Sequence, residues 1–360
     1  MKFYQFKGDF LKMAVITIVG SGMMGSALAF PARENGNEVR LVGSPLDREI
    51  IETCKKTNRH PKLEKDFPDG VKYYQIEELD EAMENADLII GGVSSFGVDW
   101  FGDYVLPRVR EDVPVLSVTK GLMDRADGTL LSYPDVWREK MDAIGKKLSL
   151  NAIGGPCTSY ELVAHDQTEV AFCGDDLETL RRLKAWMQTD YYHISITTDV
   201  LGIESAVALK NGYALGIALT IGLNQREFGV ESPLHYNSQA AVFGQAFKEM
   251  YKLLEMQGAW SLENIAVGTG DLYVTVYGGR TRQIGILLGR GMMIDEAKAA
   301  LNGVTLESLV VAVRVARAVR IKAQRGEIDL ADFPLLMHID EILSEKKPVN
   351  IPWESFTFEK

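Results

Sequence analysis

The sequence is poor in the residues that build metal centres and disulfide frameworks. Its three cysteines, Cys54, Cys157 and Cys173, are widely spaced and form no C-x-x-C pair, so we expect neither a zinc site nor disulfides and infer a reducing, cytoplasmic setting. The five histidines form no H-x-x-x-H or H-E-x-x-H pair, which predicts that no metal is bound. No G-x-S-x-G turn indicates a serine hydrolase.

Long uncharged apolar runs are also lacking. The most apolar stretch, Leu201–Leu223, contains Glu204 and Lys210, so a buried central helix is favoured over the alternative of a membrane span. Acidic residues outnumber basic ones, and the net charge is −11. This charge argues against nucleic acid or an anionic membrane surface as a partner. A phosphorylated ligand would therefore need a local cluster of Lys and Arg.

Short apolar runs alternate with amphipathic segments as far as Thr198. The predicted strands are Val15–Val19, Glu38–Val42, Ala86–Val93, Val113–Val118, Leu148–Ile153, Glu169–Cys173 and Tyr192–Thr197. Predicted helices between them are Ser26–Asn35, Pro45–Thr57 and Leu177–Met187. Strand–helix–strand repetition predicts a mainly parallel sheet.

After Thr198 only helical spacing remains. The predicted helices are Leu201–Leu223, Tyr236–Gln257, Met293–Leu301, Thr305–Arg325 and Leu335–Leu343. The pattern therefore predicts an α/β domain over residues 1–198 (core 13–198) and an all-helical domain over 199–360. Asp199 is expected to cap the first helix of the second domain.

The richest motif is A-V-I-T-I-V-G-S-G-M-M-G, at Ala14–Gly25, in which an apolar strand runs into G-x-G-x-x-G. Gly20 would allow a sharp turn, Gly22 a close approach of a pyrophosphate, and Gly25 close packing of the next helix. The anion would rest on the positive end of that helix. We expect a Rossmann-type dinucleotide site here, the alternative being an ordinary glycine-rich turn.

Four further segments carry candidate chemistry. Lys210 lies in an apolar helix, where burial would lower its pKa and suit it to proton transfer. The alternative is a lysine whose ammonium group reaches water at the surface. Lys120 follows a buried strand at its carboxyl end, where α/β sheets bind ligands, so it could contact a ligand. The alternative is an ordinary lysine in a turn. Gly278–Arg282 would cradle an anion, or is a solvated basic loop. Gly268–Asp271 is predicted to be a glycine-rich loop that offers a carboxylate, or a turn with a helix cap.

Six motifs then occur in a fixed order: G-S-G-M-M-G, T-K-G-L, G-G-P-C-T-S-Y-E, A-L-K-N, G-T-G-D-L-Y-V-T and G-G-R-T-R. Over about Ala14 to Ala318 the chain resembles the NAD(P)-dependent sn-glycerol-3-phosphate dehydrogenase family. The resemblance implies a Rossmann-type domain, a helical domain and an active site between them. It implies interconversion of sn-glycerol 3-phosphate and dihydroxyacetone phosphate with NAD or NADP, and we expect a homodimer.

The resemblance also implies roles for individual residues. The catalytic set would be Lys210 as general base, Lys120 and Asp271. The substrate-binding set would be Lys120, Gly155, Cys157, Asn211, Thr275, Gly279, Arg280 and Thr281. The cofactor-binding set would be Gly20, Ser21, Gly22, Met23, Met24, Gly25, Ser44, Phe96, Lys120, Ser159, Arg280, Thr305 and Glu307.

Several positions depart from the family pattern. Thr281 replaces the asparagine of R-N-R, and Cys157 stands where Ser or Thr is usual, so another polyol phosphate or hydroxyacid is an alternative substrate. A second alternative is a protein that senses NAD(P) without catalysis. At the end of the second strand stands Ser44, where NAD-selective sites usually have Asp or Glu. Arg40 or Arg48 could attract the 2′-phosphate of NADP, so we expect the protein to use NADP, or both nucleotides. Asp47 is the residue that could instead favour NAD.

Overall fold

The structure is a computed structural model that describes residues 13–301 and 307–359. An eight-stranded sheet forms the N-terminal part, in the order β12-β11-β10-β7-β6-β1-β2-β5. Its strands are β1 (Val15–Val19), β2 (Glu38–Val42), β5 (Lys72–Tyr74), β6 (Leu88–Gly91), β7 (Val115–Ser117), β10 (Leu150–Gly154), β11 (Thr168–Gly174) and β12 (Tyr192–Thr197). Only the β10–β11 pairing is antiparallel among these strands, so the predicted mainly parallel sheet is confirmed.

Seven helices and two hairpins accompany the sheet. The helices are α1 (Met23–Glu34), α2 (Arg48–Thr57), α3 (Leu79–Met83), α4 (Gly97–Trp100), α5 (Tyr133–Asp142), α6 (Ser159–Leu162) and α7 (Leu177–Met187). The hairpins pair β3 (Arg59–His60) with β4 (Lys65–Asp66) and β8 (Leu122–Asp124) with β9 (Leu130–Ser132). Neither hairpin was predicted. Leu122 and Leu130 of the second pack into the core of the helical part.

Helices alone make up the described part of the chain from Val200 onward, apart from short 3₁₀ turns. They are α8 (Val200–Ala208), α9 (Lys210–Phe228), α10 (Tyr236–Met256), α11 (Leu262–Val276), α12 (Gly279–Gly289), α13 (Ile294–Ala300), α14 (Glu307–Gln324) and α15 (Pro334–Ser344). Asp199 caps α8, since its carboxylate accepts a hydrogen bond from the N–H of Gly202 at 2.8 Å, as predicted. The predicted start at Thr305 lies outside the described residues.

Two of the helical predictions need correction. The stretch Leu201–Leu223 is two helices, because the chain breaks at Leu209 between α8 and α9. The segment Gly268–Asp271 is not a loop, because it lies within α11. A Cβ at Gly268 would come within 2.5 Å of the Ala206 carbonyl oxygen, so this glycine permits close contact of α11 with α8.

The apolar α8–α9 segment lies inside the protein. Of its most apolar window, 83% is buried in the fold, as a core helix requires. The sheet and the helices meet through apolar side chains, among them Ile203 of α8 against Ala152 and Cys173 of the sheet. Between them lies a cleft of about 850 Å³, lined by residues of both parts.

Helices α9 and α12 pack in parallel at very short distance. A Cβ at Gly285 would lie 2.8 Å from the Leu215 carbonyl oxygen, and one at Gly289 would lie 2.2 Å from that of Leu219. Both contacts join residues seventy positions apart, so the same register places the first residues of α9 beside the first residues of α12. Lys210 and Arg280 therefore lie beside each other on one side of the cleft.

The N-terminus of α15 is held by a buried side chain of α10. The carboxylate of Glu249 accepts hydrogen bonds from the N–H groups of Leu335 and Leu336, at 2.7 and 2.8 Å. It also accepts from Tyr213 and Gln245. Helix N-termini carry N–H groups without intrahelical partners, so this carboxylate satisfies donors that water cannot reach.

We predict that Glu249→Ala lowers the free energy of unfolding by about 3 kcal/mol, because it leaves two buried N–H groups unpaired. Urea denaturation followed by circular dichroism measures this change. Glu255→Ala on the same helix is the control: its carboxylate is exposed and pairs with Lys252, so the loss should stay under about 1 kcal/mol. Equal losses in the two variants would contradict the capping role.

Candidate active site

The glycine-rich turn lies where the strand order of the sheet reverses. β1 pairs with β2 on one side and with β6 on the other, so the crevice between β1 and β6 is the usual ligand site of such sheets. Gly20 has a φ of 110°, and a Cβ there would lie 2.6 Å from the Gly92 carbonyl oxygen. A Cβ at Gly25 would lie 2.2 Å from the carbonyl oxygen of Gly20, so both positions require glycine for packing.

Gly22 differs from its two neighbours in facing open space. The nearest atom to a Cβ at this position is the Gly92 carbonyl oxygen at 3.9 Å, and Gly22, Met23 and Met24 line the cleft. Gly22 is also the N-cap of α1, so the first N–H groups of that helix point toward the cleft. A turn that is open at Gly22 and backed by a helix N-terminus fits the pyrophosphate of a dinucleotide.

A buried ion triad forms the opposite side of the cleft. The carboxylate of Asp271, on α11, is fully buried and accepts a hydrogen bond from the Nζ of Lys210 at 2.6 Å through Oδ1. Its Oδ2 accepts one from the Nζ of Lys120 at 2.6 Å, and Lys120 also donates to the Gly155 carbonyl oxygen at 2.7 Å. One carboxylate thus holds two ammonium groups that both line the cleft.

The environment of Lys210 favours loss of its proton. Burial lowers the pKa of Lys210 to about 8, and the positive charge of Lys120 acts in the same direction, while the carboxylate of Asp271 opposes both. Lys210 begins α9 directly after Leu209, the residue at which α8 ends. An amine with this pKa can accept or donate a proton near neutral pH.

The two arginines of the predicted anion-binding segment Gly278–Arg282 have different surroundings in the structure. Arg280 lines the cleft with Gly279 and Thr281 at the N-terminus of α12. Arg282 instead donates to the Val276 carbonyl oxygen at 2.8 Å, at the end of α11. Only the first arginine is therefore placed to meet a ligand.

Most of the remaining predicted residues are in or directly behind the cleft. The cleft lining includes Cys157, Ser159, Asn211 and Thr275. Burial raises the pKa of Cys157 to about 11, so this side chain is a neutral thiol. Thr275 donates to the Asp271 carbonyl oxygen at 2.6 Å.

Other predicted residues are not part of the cleft lining. Phe96 is exposed beside it, next to the lining residue Ser95. Ser44 hydrogen-bonds through its N–H and hydroxyl to Asp47, whose Oδ2 also accepts from the N–H of Ser21. Thr305 lies outside the described residues, and Glu307 is described only as the first residue of α14.

The guanidinium of Arg40 is mostly buried and has partners within the protein. Its guanidinium pairs with Glu38 at 2.8 Å and donates to the carbonyl oxygens of Ala82 and Glu84. Arg48 remains half-exposed on α2, where it pairs with Glu77. Of the two arginines that could attract a 2′-phosphate, Arg48 is therefore the more accessible.

Sequence reasoning missed several lining residues. Ser94 and Ser95 follow β6, Thr158 and Tyr160 flank the start of α6, and Tyr277 precedes the glycines of α12. The serines could have been found, because they come directly after a predicted buried strand at the ligand-binding edge. The others are placed by helix packing, which no local pattern records.

Comparison with known proteins agrees with this arrangement. The N-terminal domain of NAD-dependent glycerol-3-phosphate dehydrogenase matches residues 15–179, and its C-terminal domain matches residues 199–354. An NADP(+)-dependent glycerol-3-phosphate dehydrogenase of Archaeoglobus fulgidus is 36% identical over 294 residues, or 80% of this chain and 84% of that protein. The chain belongs to the NAD-dependent glycerol-3-phosphate dehydrogenase family.

More distant members of the dehydrogenase family match more than nine tenths of the chain. A glycerol-3-phosphate dehydrogenase [NAD(P)+] of Syntrophobacter fumaroxidans is 28% identical over 92% of each chain. Solved structures show the same fold at lower identity. A Coxiella burnetii enzyme has a TM-score of 0.75 at 22% identity, covering 96% of this chain and 98% of its own. A Plasmodium falciparum enzyme has a TM-score of 0.80 at 17% identity, covering 97% and 96%.

Asp271→Asn should lower the pKa of Lys210 below about 8, because the carboxylate is the group that favours the charged amine. The pH dependence of Lys210 acetylation by acetic anhydride, read by peptide mass spectrometry, gives the midpoint. The control is Asp124→Asn, which removes the carboxylate that pairs with Arg317. It should leave the midpoint of Lys210 acetylation unchanged. An unshifted midpoint in the first variant would show that Asp271 does not set the charge of Lys210.

Proposed function

We propose that the protein interconverts sn-glycerol 3-phosphate and dihydroxyacetone phosphate with NAD or NADP. The observation that carries this proposal is the triad of Lys120, Asp271 and Lys210, which shares one cleft with the glycine-rich turn and with Arg280. The family to which the chain belongs, with relatives named for this reaction, supports it. A bound nicotinamide supplies or takes up the hydride.

In the oxidation direction Lys210 accepts the proton of the substrate hydroxyl. Its amine is suited to this step because its pKa is near 8, so a substantial neutral fraction exists at physiological pH. In the reduction direction the ammonium form polarises the ketone and returns the proton. Asp271 fixes the amine in place, and Lys120, tied to the Gly155 carbonyl oxygen, orients the substrate from the other side.

Arg280 and the N-terminus of α12 would bind the phosphate. Arginine offers paired donors to phosphate oxygens, and the first N–H groups of α12 add a positive field. Asn211 and Thr281 extend the same polar surface. Arg280 lines the cleft despite the departures at Thr281 and Cys157, which favours the glycerol phosphate over a hydroxyacid that lacks a phosphate.

The same proposal includes a cytoplasmic homodimer that needs no metal. Apolar and aromatic side chains exposed on the helical part, such as Phe228, Trp260 and Leu262, offer surface for a contact between copies.

Lys210→Ala should reduce kcat by about 10²- to 10⁴-fold, because it removes the group that transfers the proton. The Kd of NADH, measured by nucleotide fluorescence, should stay within about twofold, since the turn at Gly22 is untouched. Lys252→Ala, an exposed lysine of the same domain, controls for loss of charge. Near-normal turnover in Lys210→Ala would refute the proposed base. A protein that binds NADH but never reduces dihydroxyacetone phosphate would be a sensor instead.

Arg280→Ala should raise the KM for dihydroxyacetone phosphate roughly tenfold to hundredfold, because a charge-assisted hydrogen bond to phosphate is lost. Arg282→Ala is the matched control, since that guanidinium contacts a backbone carbonyl and not the cleft. Initial rates of NADH oxidation measure both. An equal KM in both variants would point to a substrate without phosphate.

Arg48→Gln should weaken NADPH binding about fivefold and leave NADH binding unchanged, because Arg48 is the exposed arginine after β2 that could meet a 2′-phosphate. Fluorescence titration with both nucleotides measures this, with Arg59→Gln, an exposed arginine paired with Asp66, as control. If Asp47→Asn rather than Arg48→Gln changes the NADPH affinity, Asp47 sets the choice of nucleotide.

A further inference from the structure

The backbone of Ser21, in the middle of the glycine-rich turn, is held by residues outside that turn. Its N–H donates to Oδ2 of Asp47 at 3.2 Å. Its carbonyl oxygen lies 3.1 Å from Nε2 of His60 and accepts a second hydrogen bond from the hydroxyl of Ser26 at 3.2 Å. Ser21 and His60 have no exposed surface. The turn is therefore fixed from inside the protein.

The partners of His60 show which ring nitrogen carries the proton. Nδ1 accepts hydrogen bonds from the N–H groups of Lys62 and Leu63, at 3.2 and 3.0 Å. The single proton of a neutral ring is then on Nε2, which donates it to the carbonyl oxygen of Ser21. Burial lowers the pKa of His60, which agrees with a neutral ring. His60 thus joins the β3–β4 hairpin to the glycine-rich turn.

The fixed carbonyl of Ser21 determines where the next N–H points. In a planar trans peptide, the C=O of one residue and the N–H of the next point in opposite directions. His60 and Ser26 hold the Ser21 carbonyl oxygen inside the protein, so the N–H of Gly22 is turned toward the cleft, which Gly22 lines. This N–H donates to none of the residues that the structure describes, so it is available to an oxygen of a ligand.

We propose that His60 is a positioning residue for the dinucleotide: by holding the carbonyl oxygen of Ser21, it aims the N–H of Gly22 at the pyrophosphate. The inference rests on the proposed function, because it takes the glycine-rich turn as the nucleotide site. His60 is not among the described residues that line the cleft, so it acts through the Ser21–Gly22 peptide. Without this donor the peptide could rotate and present its carbonyl oxygen, which repels an anion, to the same site. A donor held in place binds without that rearrangement.

Two substitutions of His60 separate its two kinds of hydrogen bond. Asparagine can place an oxygen near the position of Nδ1 but is too short to donate to Ser21, whereas glutamine can place an amide N–H near the position of Nε2. His60→Asn should raise the Kd of NADH about fivefold to tenfold, because the buried carbonyl of Ser21 loses a partner. His60→Gln should keep the Kd within about twofold of the wild-type value, since the donor is restored. Nucleotide fluorescence measures both values.

A role confined to the stability of the hairpin predicts the reverse order. The acceptor for the N–H groups of Lys62 and Leu63 is kept in His60→Asn and lost from the position of Nδ1 in His60→Gln. A wild-type Kd in the asparagine variant, or a rise of more than about fivefold in a folded glutamine variant, would overturn the proposal. If the asparagine variant does not fold, the glutamine variant decides alone. Circular dichroism shows which variants are folded.

His338→Asn is the matched control for loss of a buried imidazole. His338 is also buried, but its Nε2 accepts the N–H of Asn350 in the helical part. The Kd of NADH in this variant should equal the wild-type value. A rise as large as that in His60→Asn would mean that the effect is not specific to the glycine-rich turn, which contradicts the proposal.

Binding is measured without turnover, so this inference and the proposed function can fail separately. A wild-type protein that binds no NADH would refute the proposed function. A wild-type protein and a His60→Asn variant that bind NADH equally would refute only the role of His60. At saturating NADH, kcat for dihydroxyacetone phosphate should stay within about twofold in His60→Asn, because the triad keeps its contacts. A fall in kcat with an unchanged Kd would exclude a role in positioning the nucleotide.

Discussion

One buried carboxylate holds the active site together. Asp271 has no exposed surface, and each of its oxygens accepts a hydrogen bond from a lysine of a different element. A buried charge is tolerated only when it is paired, and removal of one partner from such a pair costs about 3–5 kcal/mol. Because Lys120 belongs to the sheet and Lys210 to the helices, the same contact joins the two parts at the cleft. The positions of the two amines and the contact between the parts therefore depend on one side chain.

Glycine contacts give this carboxylate and the anion site their positions. Gly268 lets α11 lie against α8, one turn before Asp271, and Gly285 and Gly289 let α12 lie against α9. Each contact is closer than any side chain would allow, so the spacing of the helices is fixed by the lack of a Cβ. The high glycine and alanine content of these helices is thus explained by packing, and the packing places Lys210 and Arg280 on adjacent helix N-termini.

Sequence patterns predicted correctly the bounds of those helices and strands that depend on neighbouring residues alone. The bounds of β1, β2, α7 and β12 are those predicted, because each is a short periodic run between clear turn residues. The pattern failed at Gly268–Asp271, where glycine lowers helix propensity but tertiary contact with α8 requires it. It also failed at Leu209, since an unbroken apolar run gives no sign that the helix stops there. The motif residues that meet in the cleft were identified, although their mutual distances depend on packing between helices that no local pattern contains.

Because the protein as a whole is negatively charged, binding of a phosphorylated ligand depends on the local charge of the cleft. With a net charge of −11, the chain as a whole repels a phosphorylated ligand, but salt screens that repulsion beyond about 8 Å at physiological ionic strength. The cleft is lined by the basic residues Lys120, Lys210 and Arg280 and by one acidic residue, Glu161, while the carboxylate of Asp271 is buried against the two lysines. Three basic groups against two carboxylates leave a positive local field.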